Sequence, residues 1–484
     1  QSEADGGEGT RSQLRDPARH RKHAAPAVQL GRPSPRQQAP LIRPSQLPLY
    51  CVVPSAPRRH AAVPMAQPLR RLQAFVEHVT PGGAGEQRHA RRGTETCCAG
   101  ASTKPERVVR QGPLVGFRVL DMSAVISGPW SASILADQGA DVIKVEGPGR
   151  PDITRELGGS PEPGMAAMYV TANRGKRSVT IDLQQPQGVE VLKLMVKHSD
   201  VVIQNFRPGV NTRMGIDYAA LSAVNPDLIM LTISGFGQSG PYRKARVYDP
   251  VIQAMAGVGD VQKGTAFDAD GSESLVHSLM LDKVTALNAC QAVTAALLAR
   301  ERGNGGQLIE LNMLDAAVHF LFPDSYYNNV WETAAKFPEW NRIARNYDFV
   351  VVDGKIAASV PAEERDKFVE RFATMTRQQA FDWCLEAGVP CGKYNTRSEM
   401  LADPQVAHNG TIESHEHPTL GAWVSPRPPA AFMKTPSKVL VSAAGLSARL
   451  CAPLCASCPS FILTEINDSL CVVGSTSDNG RAHC

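Results

Sequence analysis

One acidic side chain draws attention because it opens a long apolar segment. Asp282 lies in the run 275–303, which is rich in Ala and Leu from residue 283 onward, with apolar residues at intervals of three and four. That spacing places them on one face of a helix, which Gly303 is predicted to end. An Asp at the start of a helix accepts hydrogen bonds from unpaired first-turn amides, and the helix dipole favours its charged form. Asp282 is therefore interpreted either as a structural N-cap or as a carboxylate kept ionised for chemistry.

The segments around this helix alternate between short apolar strands and helices. Strands are predicted at 117–122, 141–146, 178–183, 200–204, 228–234 and 307–312, and helices between them at 130–138, 186–198, 218–225 and 313–322. Alternation of this kind is typical of an α/β fold, a Rossmann-like doubly wound parallel sheet whose ligands bind near the carboxyl ends of the strands.

Composition and pattern divide the chain into five parts. Residues 1–110 are rich in Pro, Arg and Gly and are predicted to form a disordered basic extension. The large Rossmann-like domain is predicted at 112–325, a smaller, shortened α+β domain inserted at 326–415, and a return to the large domain at 416–440. The tail, 441–484, is rich in Ser and Cys and shows no clear element.

Charge and cysteine usage limit the class of protein. Residues 1–110 carry 18 Lys and Arg against 8 Asp and Glu, so they hold +10 and the remainder −6 of the net +4. A nucleic-acid-binding surface is therefore not expected on the folded part, and no apolar run is long enough to predict a membrane span. Only Cys290, Cys384 and Cys391 lie in the body of the chain, which favours a reducing compartment and no metal site. The expected location is cytoplasmic or, given the Arg-rich start, mitochondrial.

The first strand–helix–strand unit has one feature of a dinucleotide site. Glu146 follows the first turn at about the distance from which an acid binds a ribose hydroxyl. The turn has a single glycine, Gly128, where a dinucleotide-binding motif has three. A close-packing role for Gly128 is therefore favoured, and NAD binding is the weaker alternative.

Two basic segments lie at or beside predicted strand ends. The first is 173–178, Asn-Arg-Gly-Lys-Arg-Ser, and the second is 205–209 with Arg213. Their cations are expected to converge on a phosphate-bearing ligand at the crevice, although exposed loop cations are ordinary on any protein surface.

Several phrases, taken in order, resemble the class III coenzyme A transferases. They are LVGFRVLDMSAVISGPWSASILADQGADVIKVEGPG, NRGKRSVTIDL, VVIQNFRPGVNTRMGIDY, ISGFGQSGPY, YDPVIQAMAG and LDKVTALNACQAVTAALLARERGNGGQ. The group includes formyl-CoA, carnitine and succinyl-CoA transferases and the alpha-methylacyl-CoA racemases. The resemblance is strong over residues 112–322 and weakens to isolated phrases afterwards.

The resemblance implies specific roles for residues of this chain. Asp282, in the phrase LDKVTA, matches the family's catalytic aspartate. The positions that match residues in contact with coenzyme A, which is a substrate, are Asn173, Lys176, Arg177, Asn205, Phe206 and Arg213. The family fold further implies a homodimer of subunits threaded through one another like chain links, each with a large Rossmann-like domain and a small inserted one.

A carboxylate nucleophile also makes chemical sense for such a transfer. Exchange of CoA between two acids has little driving force, so the energy of the thioester must be conserved. An Asp that attacks the thioester gives a mixed anhydride and a thiolate, and the thiolate then forms an aspartyl thioester that the acceptor acid collects. Leu279, Met280 and Leu281 are expected to shield it from water.

Two pocket candidates depart from the family's patterns. Tyr248 stands where the racemases have a histidine that acts as acid or base, so transfer is favoured over racemisation. Ile126 stands where formyl-CoA transferase has a glutamine, so a small oxalate-type acceptor is not expected. No glycine-rich GGGG loop occurs in 323–400. The leading hypothesis is a CoA transferase; the alternatives are an acyl-CoA racemase or epimerase and a non-catalytic CoA-binding relative.

Overall fold

The protein is described here by a computed structural model. It describes residues 109–262, 274–326, 330, 347–417 and 419–440, together with the backbone of two strands between 462 and 473. The predicted extension, 1–110, lies almost wholly outside the described residues.

A parallel sheet with helices on both faces forms the larger part of the fold. In chain order its elements are β1 (Arg118–Asp121), α1 (Ser127–Asp137), β2 (Asp141–Glu146), α2 (Ala167–Asn173), β3 (Lys176–Ile181), α3 (Pro186–Val196), β4 (Val201–Gln204), α4 (Val210–Arg213), α5 (Tyr218–Ser222), β5 (Ile229–Ser234), α6 (Asp249–Met255), α7 (Val258–Gln262), α8 (Met280–Ala299), β6 (Gln307–Asn312) and α9 (Met313–Ser325). The order β3-β2-β1-β4-β5-β6 is all parallel. The α/β fold class predicted from the sequence is confirmed.

Residues along the central strands alternate between two apolar layers. Leu120 and Val202 pack with α3 on one face, while Val119 and Ile203 pack with α1 and α8 on the other. Because both faces are covered, these strands are nearly continuous apolar runs, as expected for a parallel sheet. The end of β1 and the start of α8 are thereby brought to the same edge.

A smaller antiparallel unit follows the large sheet. Its elements are β7 (Asp348–Val351), β8 (Gly354–Ala358), α10 (Arg365–Phe372), α11 (Arg377–Ala387), β9 (Cys391–Lys393), α12 (Arg397–Leu401) and α13 (Pro404–His408). Asp353 and Gly354 lie in the turn of a hairpin, since β7 and β8 pair antiparallel. Phe349, Phe372 and Trp383 form its core.

Two further strand pairs complete the structure. The hairpin β10 (Ile412–His417) and β11 (Gly421–Pro426) returns to the large unit, where Leu420 and Trp423 pack against Tyr169. The prediction that the tail has no clear element is wrong, because β12 (Ile462–Ile466) and β13 (Ser469–Val473) extend the large sheet beside β3. Their sequence alternates too weakly to indicate a strand in isolation. None of the described helices is long and apolar enough to cross a membrane.

Candidate active site

Asp282 lies in the first turn of α8 at the carboxyl edge of the sheet. The helix begins at Met280 and its N-cap is Leu279, which makes no side-chain capping bond. The N-cap prediction for Asp282 is therefore wrong: it is the third residue of the helix, and its own carboxylate does not cap it. The residue is only 6% exposed, and the neighbouring Leu281 is fully buried. Asp282 is thus a largely buried carboxylate that does not cap its own helix.

A second carboxylate performs the capping. Asp249, the first residue of α6, is fully buried, and its Oδ1 accepts the Asp282 N–H at 2.8 Å. Gln253 Nε2 donates to the other oxygen at 2.5 Å and to the carbonyl of Ser278 at 3.0 Å. Gln253 Oε1 also accepts the N–H of Val276 at 2.9 Å. The α6 side chains therefore fix both the first turn of α8 and the segment that leads into it.

The loop between β1 and α1 supplies the other side of the site. Ser127, the first residue of α1, faces the Asp282 carboxylate, and hydrogen bonding from its hydroxyl and main-chain N–H lowers the pKa of that carboxyl. Gly128 follows, and a Cβ there would lie 2.3 Å from Ser123 Cβ, so this turn accepts only glycine. The close-packing role predicted for Gly128 is confirmed.

The environment changes the acidity of Asp282 in a definite direction. Burial raises the pKa of Asp282, the charge of Asp249 raises it further, and hydrogen bonding from Ser127 lowers it, which leaves the pKa at about 6. The helix N-terminus is expected to favour the charged form, but burial and the second carboxylate outweigh that effect and raise the pKa of Asp282 above its ordinary value. At neutral pH most of the group is still ionised, and its basicity is higher than that of an ordinary aspartate.

The first basic segment does not face this crevice. Asn173 and Lys176 are fully buried, and Lys176 Nζ donates to Asp121 Oδ2 at 2.8 Å, Pro129 O at 2.6 Å and Asn173 Oδ1 at 2.8 Å. Arg177 lies at the start of β3 and pairs with Asp141 at 2.6 Å, at the start of β2. These side chains bind the protein's own acids and carbonyls.

The second segment does lie at the carboxyl edge, because it follows the end of β4. Asn205 uses its whole amide on the β1–α1 loop: Oδ1 accepts the Ala124 N–H at 2.9 Å and Nδ2 donates to the Ala124 carbonyl at 2.8 Å. Phe206 is half-buried against the core, and Arg213 is exposed at the end of α4. The expected convergence of the two basic segments is therefore not what the structure shows.

The two pocket candidates flank the Asp282 site. Ile126 is buried and directly precedes Ser127, whereas Tyr248 directly precedes Asp249 and is 66% exposed. The acid considered for a dinucleotide, Glu146, is buried and bound through both oxygens by Arg155, at 3.0 and 2.5 Å. A free ribose-binding carboxylate is therefore not present at that position.

Sequence reasoning missed three residues that the structure brings to Asp282: Ser127, Asp249 and Gln253. Ser127 stands one position before the singled-out Gly128, so the strand–turn–helix pattern could have indicated it. Asp249 and Gln253 are separated from Asp282 by 33 and 29 positions along the chain, and no spacing connects them.

Known proteins match this chain over most of its described length. The sequence model of CoA-transferase family III matches residues 114–342 and 325–446. The succinate–glutarate CoA-transferase of Agrobacterium fabrum is 39% identical over 342 residues, 62% of this chain and 84% of that protein. The succinyl-CoA–D-citramalate CoA-transferase of Chloroflexus aurantiacus is 31% identical, covering 66% and 87%. A CAIB/BAIF family protein from Brucella suis has a similar structure, with a TM-score of 0.59 and 28% identity over 69% of this chain and 97% of that one. The chain therefore belongs to CoA-transferase family III and is a CoA-transferase.

Proposed function

We propose that this transferase moves CoA from an acyl-CoA to a carboxylic acid through covalent intermediates on Asp282. The observation that carries the proposal is a buried carboxylate, not used to cap its own helix, that faces the N–H and hydroxyl of Ser127 at the carboxyl edge of the sheet. Ligand sites in open α/β sheets lie at this edge, which supports a role for Asp282 in contact with substrate.

The reaction conserves the thioester in four displacements. The Asp282 carboxylate attacks the acyl carbonyl, the C–S bond breaks, and the CoA thiolate leaves behind a mixed anhydride. The thiolate attacks the Asp282 carbonyl, which releases the first acid and forms an aspartyl thioester. The acceptor carboxylate then attacks that thioester to give a second anhydride, and the thiolate attacks its acyl carbonyl. Asp282 is regenerated as a carboxylate, and no water is consumed.

The donors that face Asp282 suit the charge that develops in the second and third displacements, which occur at the Asp282 carbonyl. A tetrahedral intermediate at the Asp282 carbonyl places negative charge on an oxygen, and the N–H and hydroxyl of Ser127 are positioned to bind it. The water-poor surroundings of Asp282 and Leu281 protect the anhydride from hydrolysis.

Exposed cations at the same edge support binding of the negatively charged nucleotide of CoA. Arg207 and Arg213 follow β4, and Arg243, Lys244 and Arg246 follow the adjacent strand β5. None of the five forms an ion pair with another residue in the described part of the chain. Such a one-signed patch raises the local concentration of an anionic substrate.

The acids are proposed to be dicarboxylic. Relatives that match this chain over most of their length are named for succinate with glutarate and for succinyl-CoA with citramalate. Racemisation is not favoured, because Tyr248, which is exposed beside the site, stands in place of the histidine that acts as acid or base in the racemases.

A homodimer is part of the proposal. An apolar cavity of about 1000 Å³ lies between α1, α8 and the segment after β11, lined by Trp130, Ile134 and Phe432 among others. Leu287 and Leu298, on the outer side of α8, are more than half exposed beside it. Apolar surface of this extent on a single chain suits coverage by a second copy.

Hydroxylamine trapping tests the proposed nucleophile. Incubation with succinyl-CoA and hydroxylamine is expected to convert Asp282 into an aspartyl hydroxamate, because both the anhydride and the thioester are cleaved by this amine. Mass spectrometry of the peptide that contains Asp282 gives the readout, and the peptide that contains Asp249 serves as the internal control. Transfer without any adduct on Asp282 would contradict the proposal.

The pH profile provides a second expected result. Because the nucleophile must be ionised, kcat/KM is expected to fall as the pH drops through about 6, where Asp282 takes up a proton. In Asp249→Asn the neighbouring negative charge is gone, so this acid limb is expected to move to lower pH. Asp217→Asn is the matched control, since Asp217 caps α5 away from Asp282. An unchanged limb in Asp249→Asn would rule out the carboxylate pair as the cause.

A further inference from the structure

The loop that presents Ser127 contains one conformational outlier. Val125 has φ of +73°, and it is the only non-glycine residue with positive φ within the ranges that the structure describes. Val is β-branched, and a left-handed backbone is strongly unfavourable for such residues. Strain of this kind persists only where surrounding contacts impose it. The contacts around this loop are therefore informative about what it is built to do.

Four side chains, three of them buried and one half-buried, bind successive residues of the loop. Asp121 accepts the Ser123 N–H at 3.0 Å, and Lys144 Nζ donates to the Ser123 carbonyl at 2.6 Å. Asn205 binds both main-chain groups of Ala124, as described above. The strained residue is then held by Asp152, because the Val125 N–H lies 3.1 Å from each carboxylate oxygen.

Asp152 is itself rigidly placed. Its carboxylate accepts from Lys144 Nζ at 3.1 Å and from the N–H and hydroxyl of Thr154 at 3.0 and 2.9 Å, while its own N–H donates to Glu146. The residue is 4% exposed. It touches neither Ser127 nor Asp282 in the contacts of the structure, so any effect on the reaction passes through the Val125 main chain.

We propose that Asp152 is a positioning residue whose carboxylate holds the strained Val125 main chain and thereby aims the N–H and hydroxyl of Ser127 at Asp282. Only Ile126 separates Val125 from Ser127, so a relaxed φ at Val125 rotates the first turn of α1 away from the carboxylate. The inference rests on the proposed role of Asp282. A displacement of about 1 Å at such a donor costs on the order of 10²-fold in rate.

A double-mutant cycle between Asp152 and Val125 tests the proposal. In Asp152→Asn, kcat is expected to fall by about 10–100-fold while KM for succinyl-CoA stays within about two-fold, since donor alignment matters most in the transition state. Val125→Gly alone is expected to change kcat by less than about two-fold, because glycine adopts positive φ without strain. In the double variant the glycine is expected to restore kcat by about 10-fold over Asp152→Asn.

The cycle separates positioning from general destabilisation. Asp152→Asn and the double variant both deprive Lys144 of the same charge, so they share any loss of folding stability. Asp137→Asn is the matched control: it changes another buried carboxylate that is paired with a cation, Arg174, but contacts neither the loop nor Asp152, and its kcat is expected to stay within about two-fold of wild type. The pH at which kcat/KM falls on the acid side is also expected to be higher in Asp152→Asn than in wild type. In the double variant with Val125→Gly this pH is expected to return to the wild-type value.

Two results overturn the inference: a folded Asp152→Asn enzyme with wild-type kcat, or a double variant with no recovery. Failure of the proposed function gives a different result from failure of this inference. If Asp282 is not the nucleophile, turnover survives Asp282→Ala, whatever the Asp152 and Val125 variants show. If Asp282→Ala is inactive and the two substitutions are merely additive, only the positioning role of Asp152 is lost.

Discussion

Replacement of Asp282 by Asn is expected to abolish CoA transfer and, at the same time, to make the fold more stable at neutral pH. Turnover is expected to fall by at least about 10³-fold, because an amide cannot form the anhydride and no other described carboxylate faces Ser127. The gain in stability follows from the acidity of the group. Its pKa of about 6 lies above the ordinary value of 3.8, so ionised Asp282 opposes folding.

The stability effect of Asp282→Asn depends on pH. Because the folded-state pKa is raised, protonated Asp282 contributes stability below about pH 4, and that contribution is lost as the pH rises through about 6. Asn resembles the protonated form at every pH. Asp282→Asn is therefore expected to gain on the order of 2 kcal/mol at pH 7.5 and nothing near pH 4.

Urea unfolding at the two pH values, together with a transfer assay, checks both effects. Asp315→Asn is the matched control, since Asp315 is also the third residue of a helix, α9, but is exposed. It is expected to change neither turnover nor unfolding free energy by a measurable amount. Loss of stability in Asp282→Asn at pH 7.5 would mean that the buried carboxylate is a structural group, as the N-cap interpretation holds.

Most strands of the large sheet can be predicted from the sequence. Asp141–Glu146 and Gln307–Asn312 are predicted with the bounds that the structure has, and the strand predicted at 200–204 begins one residue later, at Val201, and ends as predicted. These segments are short and flanked by polar residues and glycines, so periodicity and turn chemistry agree about where they end. The family resemblance singled out Asp282, which the structure has at the carboxyl edge of the sheet.

What the sequence could not reveal is which charged groups pair with which. Lys176 and Arg213 are both cations near strand ends, yet one is enclosed by Asp121 and the other is exposed. Lys176 reaches from the start of β3 to Asp121, the last residue of β1, and to Pro129 beneath the β1–α1 loop, whereas Arg213 follows the end of β4 at the surface. The capping of α8 by Asp249 is likewise a contact between distant segments that no local pattern encodes.

Substitution of Lys176 by Met is expected to destabilise the fold by about 3–5 kcal/mol, whereas Arg213→Met is expected to leave stability unchanged and to raise KM for acyl-CoA. Burial lowers the pKa of Lys176 to about 8 against the opposing effect of Asp121. Burial alone would raise the pKa of Asp121, but Lys144 and Lys176 hold it below its usual value. Removal of Lys176 leaves Asp121 buried with only Lys144, 3.8 Å away, as a cationic partner.

The pairing itself is tested by a second substitution. Adding Asp121→Asn to Lys176→Met is expected to recover part of the lost stability, because the uncompensated carboxylate is then removed as well. Lys193→Met is the matched control, since Lys193 pairs with Glu190 at the surface of α3, where an ion pair contributes less than about 1 kcal/mol. A stable Lys176→Met enzyme with a raised KM would instead identify Lys176 as a ligand-binding cation. That outcome would require the charge network under the β1–α1 loop to open when CoA binds, since Lys176 has no route to a ligand while it is bound to Asp121 and Pro129.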